Sequence, residues 1–417
     1  FRGILIFMKL KNKTIGIWGY GRVGTAAATL CTDLGAHVIV YDASPEVLKT
    51  CPYAGTQSID QLFAHADYII PSPGVDITQY KDTYSGIWLS ELDLFQSLFH
   101  KKIIAITGSI GKTSVTHMLT QALKAAGWRV HAAGNIGTPM LSMIAQQDAL
   151  DAIVLEVSSF QLEHTQSFAP DLALWTNLYP NHLDRHKTVE LYCAAKYQII
   201  AHQTATQQAL ISTDLYNQII RYQPKSSLHF FNPTQKPIHH PSGFAANWLI
   251  IEKALELLHV PFPEALIVEP LEHRLEHITT INGATFINDS KSTTPASTLA
   301  AVNALQAPHI TLLLGGLSKG IDRTPLIETL ATKNITVHCF GKEAVSLFDA
   351  CKRYNVPATC HKTLESAVQH SLSSICPQDI VLLSPAGSSF DEFTNYEQRG
   401  TFFKSLITCY KKQIDCD

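Results

Sequence analysis

Charge is scarce in these 417 residues. Only 16% are Asp, Glu, Lys or Arg, and 35 acids nearly balance 32 Lys and Arg, leaving a formal net charge of -3. The two signs are interspersed, so there is no basic stripe for nucleic acid and no polybasic patch for a membrane surface. The nine cysteines are an odd number without a C-x-x-C pair, which argues against a disulfide framework and a zinc knuckle. No apolar run approaches the roughly 20 residues of a spanning helix. The opening FRGILIFMKLKNK places its basic residues after its apolar ones, the reverse of a secretory leader. Met8 is a candidate native start. Solenoid-like repeats and low-complexity tracts are also missing. A cytoplasmic protein acting on a small molecule is expected.

What is present is alternation. Hydrophobic residues make up 46% of the chain, and at roughly 100–200 residues per domain the length suits two or three domains. TIGIWGYGRVG, TAAATLCTDLG and AHVIVYD read as strand, glycine turn, helix and strand, the mark of a parallel sheet. ADYIIPSPGV repeats the theme, with a strand running into Ser72, Pro73 and Gly74. KKIIAITG starts a second series, followed by strands at WRVHAAG, DAIVLEVSS, LALWTNL and QALIST. A third begins near LEHRLEHI, with strands at HITTING, ATFIND, ITLLLGG, TVHCFG and DIVLLSPAG. The expected fold is therefore α/β in three domains: Rossmann-like over 1–98, P-loop ATPase-like over 99–270 and Rossmann-like over 271–417.

Two glycine turns stand out. GYGRVG satisfies G-x-G-x-x-G through Gly19, Gly21 and Gly24, between a strand and a helix, and the next strand ends at Asp42. Such a turn lets backbone approach a pyrophosphate at a helix N-terminus while the acid reaches a ribose hydroxyl. It suits NAD or another nucleotide diphosphate equally, with Gly21, Arg22, Val23, Gly24 and Asp42 as candidate contacts. The second turn, ITGSIGKTS, offers Lys112 for phosphate and the Thr113 hydroxyl for magnesium. Ile106 occupies the place of the first glycine in the general P-loop, so the effective loop is the shorter TGSIGKT. Gly108, Ser109, Ile110, Gly111, Lys112, Thr113 and Ser114 are its candidate ATP contacts.

Downstream, LEVSSFQLE puts Glu156 at the end of an apolar strand, costly without a partner. NLYPNHLDRH places His182, Asp184 and His186 in a loop, and LYCAAKYQII puts Lys196 on an apolar helix face. Each alone has a plain account as a strand-end acid, a capping cluster or a snorkelling lysine. Together they fit a magnesium-dependent phosphoryl-transfer site.

These motifs resemble the Mur ligases, whose loop has the shorter form G-T-x-G-K-T. The likeness spans nearly the whole chain and is strongest to the members that add D-glutamate. It implies an ATP-dependent amide ligase acting on UDP-N-acetylmuramoyl-L-alanine and D-glutamate, working as a monomer with ATP and two Mg2+ ions. Thr113, Glu156 and His182 would hold metal. Tyr192, Ala195 and Lys196 match the family motif Y-x-x-A-K, whose lysine becomes a carbamate and a further metal ligand. AGNIGTP maps the family's UDP-substrate asparagine to Asn135, with Ser158 and Gln161 as candidates for the same cleft. On the nucleotide side the resemblance implies Asn247, Arg274 beside His273, and Asp289 and Lys291 of the D-S-K motif. The stretch SPAGSSFDEFTNYEQRGTFF matches the D-glutamate-adding members most specifically. An anionic amino acid needs a cation and aligned donors, implying Lys319 with Thr293, Ser389, Phe390 and Tyr396. Departures fall at Asn181, where the family has Asp, at Phe244, where it has Asn, and at Leu317 and Ser318, where it often has an acid.

Related ligases, including glutamate-adding folate enzymes, are rivals within the same chemistry. A dinucleotide-dependent oxidoreductase would use GYGRVG and Asp42 but leaves the second turn unexplained. A non-catalytic nucleotide-binding protein would accommodate the departures.

Overall fold

The computed structural model describes residues 10–239, 245–264, 266–318, 320–373 and 375–416. They divide into two compact units. One runs to Leu178 and takes in Glu190–His240 and Ala245–Val268; the other comprises Tyr179–Val189 and Glu269–Asp417.

The first unit contains two all-parallel sheets. Strands β1 (Thr14–Trp18), β2 (His37–Tyr41), β3 (Ala54–Thr56), β4 (Tyr68–Pro71) and β5 (Ile87–Trp88) lie in the order β3-β2-β1-β4-β5. Strand order reverses beside β1, so the turn after it opens at the carboxyl-end crevice where such sheets bind ligands. In the second sheet, β6 (Lys102–Thr107), β7 (Val130–Gly134), β8 (Ala152–Glu156), β9 (Leu172–Trp175), β10 (Gln208–Ser212) and β11 (Ser227–Phe231) take the order β11-β10-β9-β6-β8-β7. β8 is buried along its whole length, as expected of a parallel strand covered on both faces. Ile106 lies opposite Glu156 and Thr107 opposite Trp175. The glycine loop after β6 therefore emerges beside the ends of both neighbouring strands.

The second unit has one mixed sheet, in the order β12-β13-β17-β14-β15-β16. Its strands are β12 (Glu276–Ile281), β13 (Ala284–Asn288), β14 (Ile310–Gly315), β15 (Ile335–Phe340), β16 (Ala358–Cys360) and β17 (Ile380–Leu383). β12 and β13 form an antiparallel hairpin. Their turn is Asn282-Gly283, both at positive φ, which matches the right-handed twist of a hairpin. The strands that the sequence left unread, β3, β5, β11 and β16, are mostly two or three residues long and lie at sheet edges, where no long apolar run is required.

The helix after the D-S-K motif, Pro295–Ala304, is capped by Thr294, whose hydroxyl accepts from Ser297 N. Pro295 fixes the register by taking the first helical position, where its missing N–H costs nothing. Among the described residues no helix is long and apolar enough to cross a membrane.

Candidate active site

The loop after β6 is built by contacts that reach far along the chain. Gly108 has φ 152°, and a Cβ there would stand 1.9 Å from Thr176 Oγ1, so a larger residue cannot pass. Asn177, just beyond β9, braces the loop: its Oδ1 accepts from Ser109 N at 3.1 Å and Ile110 N at 3.0 Å. Its Nδ2 donates to Ile110 O at 3.1 Å. Helix Lys112–Ala125 begins directly after Gly111, and a helix N-terminus favours phosphate. Thr113 and Ser114 are buried in its first turn. Asn247 lies beside Gly111, whose Cβ would be 3.2 Å from Asn247 Oδ1.

Two lysines converge on one carbonyl. Lys112 Nζ donates to Gly108 O at 2.8 Å, and Lys196 Nζ donates to the same oxygen at 2.9 Å. Lys196 does not snorkel. Only 1% of it is exposed, and its Nζ lies 4.6 Å from the Tyr192 ring centroid. Burial, helped by the charge of Lys112, holds its amine well below the usual lysine range, against a smaller opposing pull from Glu156.

Glu156 ends β8, 2% exposed. Its Oε1 accepts from Asn135 Nδ2 at 2.8 Å, while its Oε2 has no hydrogen-bond partner among the described residues. An orphaned buried carboxylate oxygen is costly. Together with the buried Thr113 hydroxyl of the phosphate loop, it supplies the oxygen donor chemistry that a hard divalent cation requires. Thr113 and Glu156 therefore fit a magnesium ion. Glu272, His273 and Glu276 also bring metal-type donors together. There, however, the Lys404 ammonium donates to both carboxylates, and Asn288 Nδ2 contacts His273 Nδ1 at 2.9 Å.

The first glycine turn has a different construction. Gly24 packs so closely that a Cβ would lie 1.9 Å from Gly19 O. Gly21, Arg22, Val23, Ser72, Pro73 and Asn135 share the wall of one cavity of about 310 Å³. Gly74 follows at its edge in sequence. Asp42 is turned to the backbone: Oδ2 accepts from Tyr20 N at 2.8 Å and Oδ1 from Ser44 N at 2.9 Å. Ser158 caps the short helix Ser159–Leu162 in a reciprocal box with Gln161.

In the second unit, His182 sits at φ 54° as the N-cap of helix Leu183–His186, and its N–H donates to Asn181 Oδ1 at 2.9 Å. Asn181 thus braces the loop without a charge. Asp289 is wholly buried. It accepts from Ser384 Oγ at 2.8 Å, and burial raises its pKa against the pull of Arg274. Arg274 Nη1 also donates to Ser292 Oγ at 2.9 Å. Lys291 Nζ stands 5.3 Å from the Tyr396 ring centroid. Ser389 is buried and Phe390 exposed, while Thr293 is half-buried beside the Thr294 cap. Lys319 and Phe244 lie outside the described residues.

Residues 106–237 match the Mur ligase middle domain, and residues 273–387 match the Mur ligase glutamate ligase domain. A UDP-N-acetylmuramoylalanine--D-glutamate ligase of Lawsonia intracellularis (strain PHE/MN1-00) is 33% identical, over 94% of this chain and 93% of the relative. The chain belongs to the Mur ligase family. Residues 3–97 match the NAD binding domain of D-isomer specific 2-hydroxyacid dehydrogenases. Among solved structures, MurF from Acinetobacter baumannii aligns with a TM-score of 0.62 at 13% identity, over 96% of this chain and 92% of that one. MurF from Thermotoga maritima, in complex with ADP, aligns at 0.56 and 16% identity, over 83% and 90%. At such identities these two neighbours speak for the fold.

Against the Mur ligase background, two residues escaped the sequence reading. Asn177 had a usable signal, an amide one residue past a threonine at the end of a buried strand. Glu91, fully buried in helix Glu91–Leu98 with its pKa pushed up to about 7 by burial, had none, because an acid in the first turn of a helix reads as ordinary capping.

Proposed function

We propose that this Mur ligase joins D-glutamate to UDP-N-acetylmuramoyl-L-alanine, with ATP consumed, in the synthesis of peptidoglycan precursors. The observation that carries this reading is the meeting of Lys112 and Lys196 at Gly108 O near the unpaired oxygen of Glu156. That arrangement suits a triphosphate and a hard cation. The γ-phosphoryl group leaves ADP and bonds to the substrate carboxylate, giving an acyl phosphate. The amine of D-glutamate then attacks the carbonyl carbon and loses a proton as phosphate departs.

Little covalent work falls to the protein, which positions groups and balances charge. Lys112 and the loop and helix N-terminus formed by Gly108, Ser109, Ile110, Gly111, Thr113 and Ser114 would hold the phosphates, with the Ser109 and Ile110 amides kept on Asn177. Asn247, Arg274, Asp289 and Lys291 are assigned to the rest of ATP. Thr113 and Glu156, with His182, would hold two Mg2+ ions, which supply Lewis-acid neutralisation of the transferring phosphoryl group. The amine of Lys196, its pKa held down by burial, can add carbon dioxide, forming an N–C bond and releasing a proton. Intact-mass measurement finding bare Lys196 in fully active enzyme would remove the carbamate.

Residues 1–98 would receive the UDP-linked acid through Gly21, Arg22, Val23, Gly24, Asp42, Ser72, Pro73 and Gly74, joined by Asn135, Ser158 and Gln161 from the following segment. Residues 99–270 would take ATP. Residues 271–417 would take D-glutamate through Thr293, Lys319, Ser389, Phe390 and Tyr396. Such substrates place the enzyme in the cytoplasm, and a monomer suffices for the reaction; a dimer mass on sedimentation would correct that. The deciding experiment is phosphate release from ATP. It should require UDP-N-acetylmuramoyl-L-alanine and D-glutamate together, and release independent of either one would defeat the assignment.

A further inference from the structure

Glu91 is a buried carboxylate that the reaction above does not use. It opens helix Glu91–Leu98, the element joining β5 to β6, with Ser90 as the N-cap. Its Oε2 accepts from Gln161 Nε2 at 3.2 Å, and its Oε1 has no partner among the described residues. The helix does not need Glu91 as an anchor. Asp93, two residues on, already ties it down by accepting from Thr165 Oγ1 at 2.6 Å, Gln166 N at 2.8 Å and Ser167 N at 2.9 Å. A stranded carboxylate in a helix held elsewhere is a cost without a structural return.

Its one contact has a direct consequence. A Gln amide can present either end, and hydrogen-bond partners decide which. With Glu91 accepting at Nε2, Gln161 Oε1 is left to accept from Ser158 N at 3.0 Å and Ser158 Oγ at 3.1 Å. Those bonds fix the turn immediately after Glu156, whose other oxygen is held by Asn135. Were the amide reversed, Nε2 would face the Ser158 N–H and the side-chain half of the capping box would be lost, leaving only the bond from Gln161 N to Ser158 Oγ.

We propose that Glu91 is a positioning residue for the UDP-linked substrate, holding Gln161 in the one amide orientation that keeps Ser158 and the end of β8 in place. This rests on the assignment of Ser158 and Gln161 to that substrate. Burial also keeps part of the Glu91 population protonated near neutral pH, so an uncharged acceptor should serve as well.

The test is steady-state kinetics of the full chain with all three substrates. E91L should raise KM for UDP-N-acetylmuramoyl-L-alanine about tenfold, leaving kcat and the KM values for ATP and D-glutamate within about twofold. E91Q, which retains an acceptor oxygen, should return that KM to within about twofold of wild type. Q161L should lose at least as much as E91L, and the double variant E91L/Q161L should be no worse than Q161L alone. Equal losses for all three substrates, no recovery in E91Q, or multiplied losses in the double variant would overturn the proposal. Active wild type with unaltered E91L would overturn it alone, while inactive wild type would bring down the ligase assignment and this inference with it.

Discussion

The turn after β1 and the turn after β6 each carry the chain from the carboxyl end of an inner parallel strand into a helix within the same unit. The first offers mostly backbone and small side chains around a cavity of about 310 Å³, with Arg22 its one cation among the lining residues. It is steadied by an acid, Asp42, turned onto Tyr20 N. The second is mostly buried, steadied by the neutral amide of Asn177, and gathers Lys112 and Lys196 around a single carbonyl. Two glycine motifs that look alike on the page thus differ in charge density. A diphosphate that only has to be held can be met by backbone and shape. A phosphoryl group that has to move needs fixed positive charge where negative charge develops.

Breaking the second turn should therefore cost more than breaking the first. K112A removes a charge aimed at the transferring group, and kcat/KM for ligation should fall on the order of 10³-fold, with urea denaturation unchanged. Ligation retained at wild-type rates would refute the division. G108A drives a Cβ into Thr176 Oγ1, and the displaced loop should cost roughly 10²-fold in kcat, this time with an earlier urea midpoint.

In the first turn, G24A pushes against Gly19 O. It should raise KM for the UDP-linked acid about tenfold while kcat stays near wild type; a fall in kcat with KM unmoved would mean that the first turn also takes part in the chemical step. The gentlest change is D42N. Asn keeps one acceptor oxygen, so it can hold Tyr20 N but gives up the bond from Ser44 N, and KM should rise about threefold. A rise comparable to that of G24A would show that Asp42 touches the substrate rather than the turn alone.

Much of this could be read in the chain before folding. GYGRVG and TGSIGKTS declare themselves because a tight strand-to-helix turn around phosphate restricts local residue choice, above all to glycine. The asparagine and glycine of INGAT likewise mark a hairpin. Lys196 was visible as a lysine on an apolar helix, but not as an amine sealed beside Gly108, since that depends on where the helix packs. Asn177 and Glu91 were harder still: their partners lie 67 to 70 residues away in sequence.

By itself, then, the sequence determined the local elements: alternating strands and helices, two phosphate-type turns, and the terminal motif of the glutamate-adding ligases. The tertiary structure alone decided which side chains meet. Sheet order sets β6 between β8 and β9, and that placement brings Glu156, Asn177 and the glycine loop to one edge. No local periodicity specifies such a meeting, because strand neighbours in a parallel sheet are chosen by the packing of the whole core.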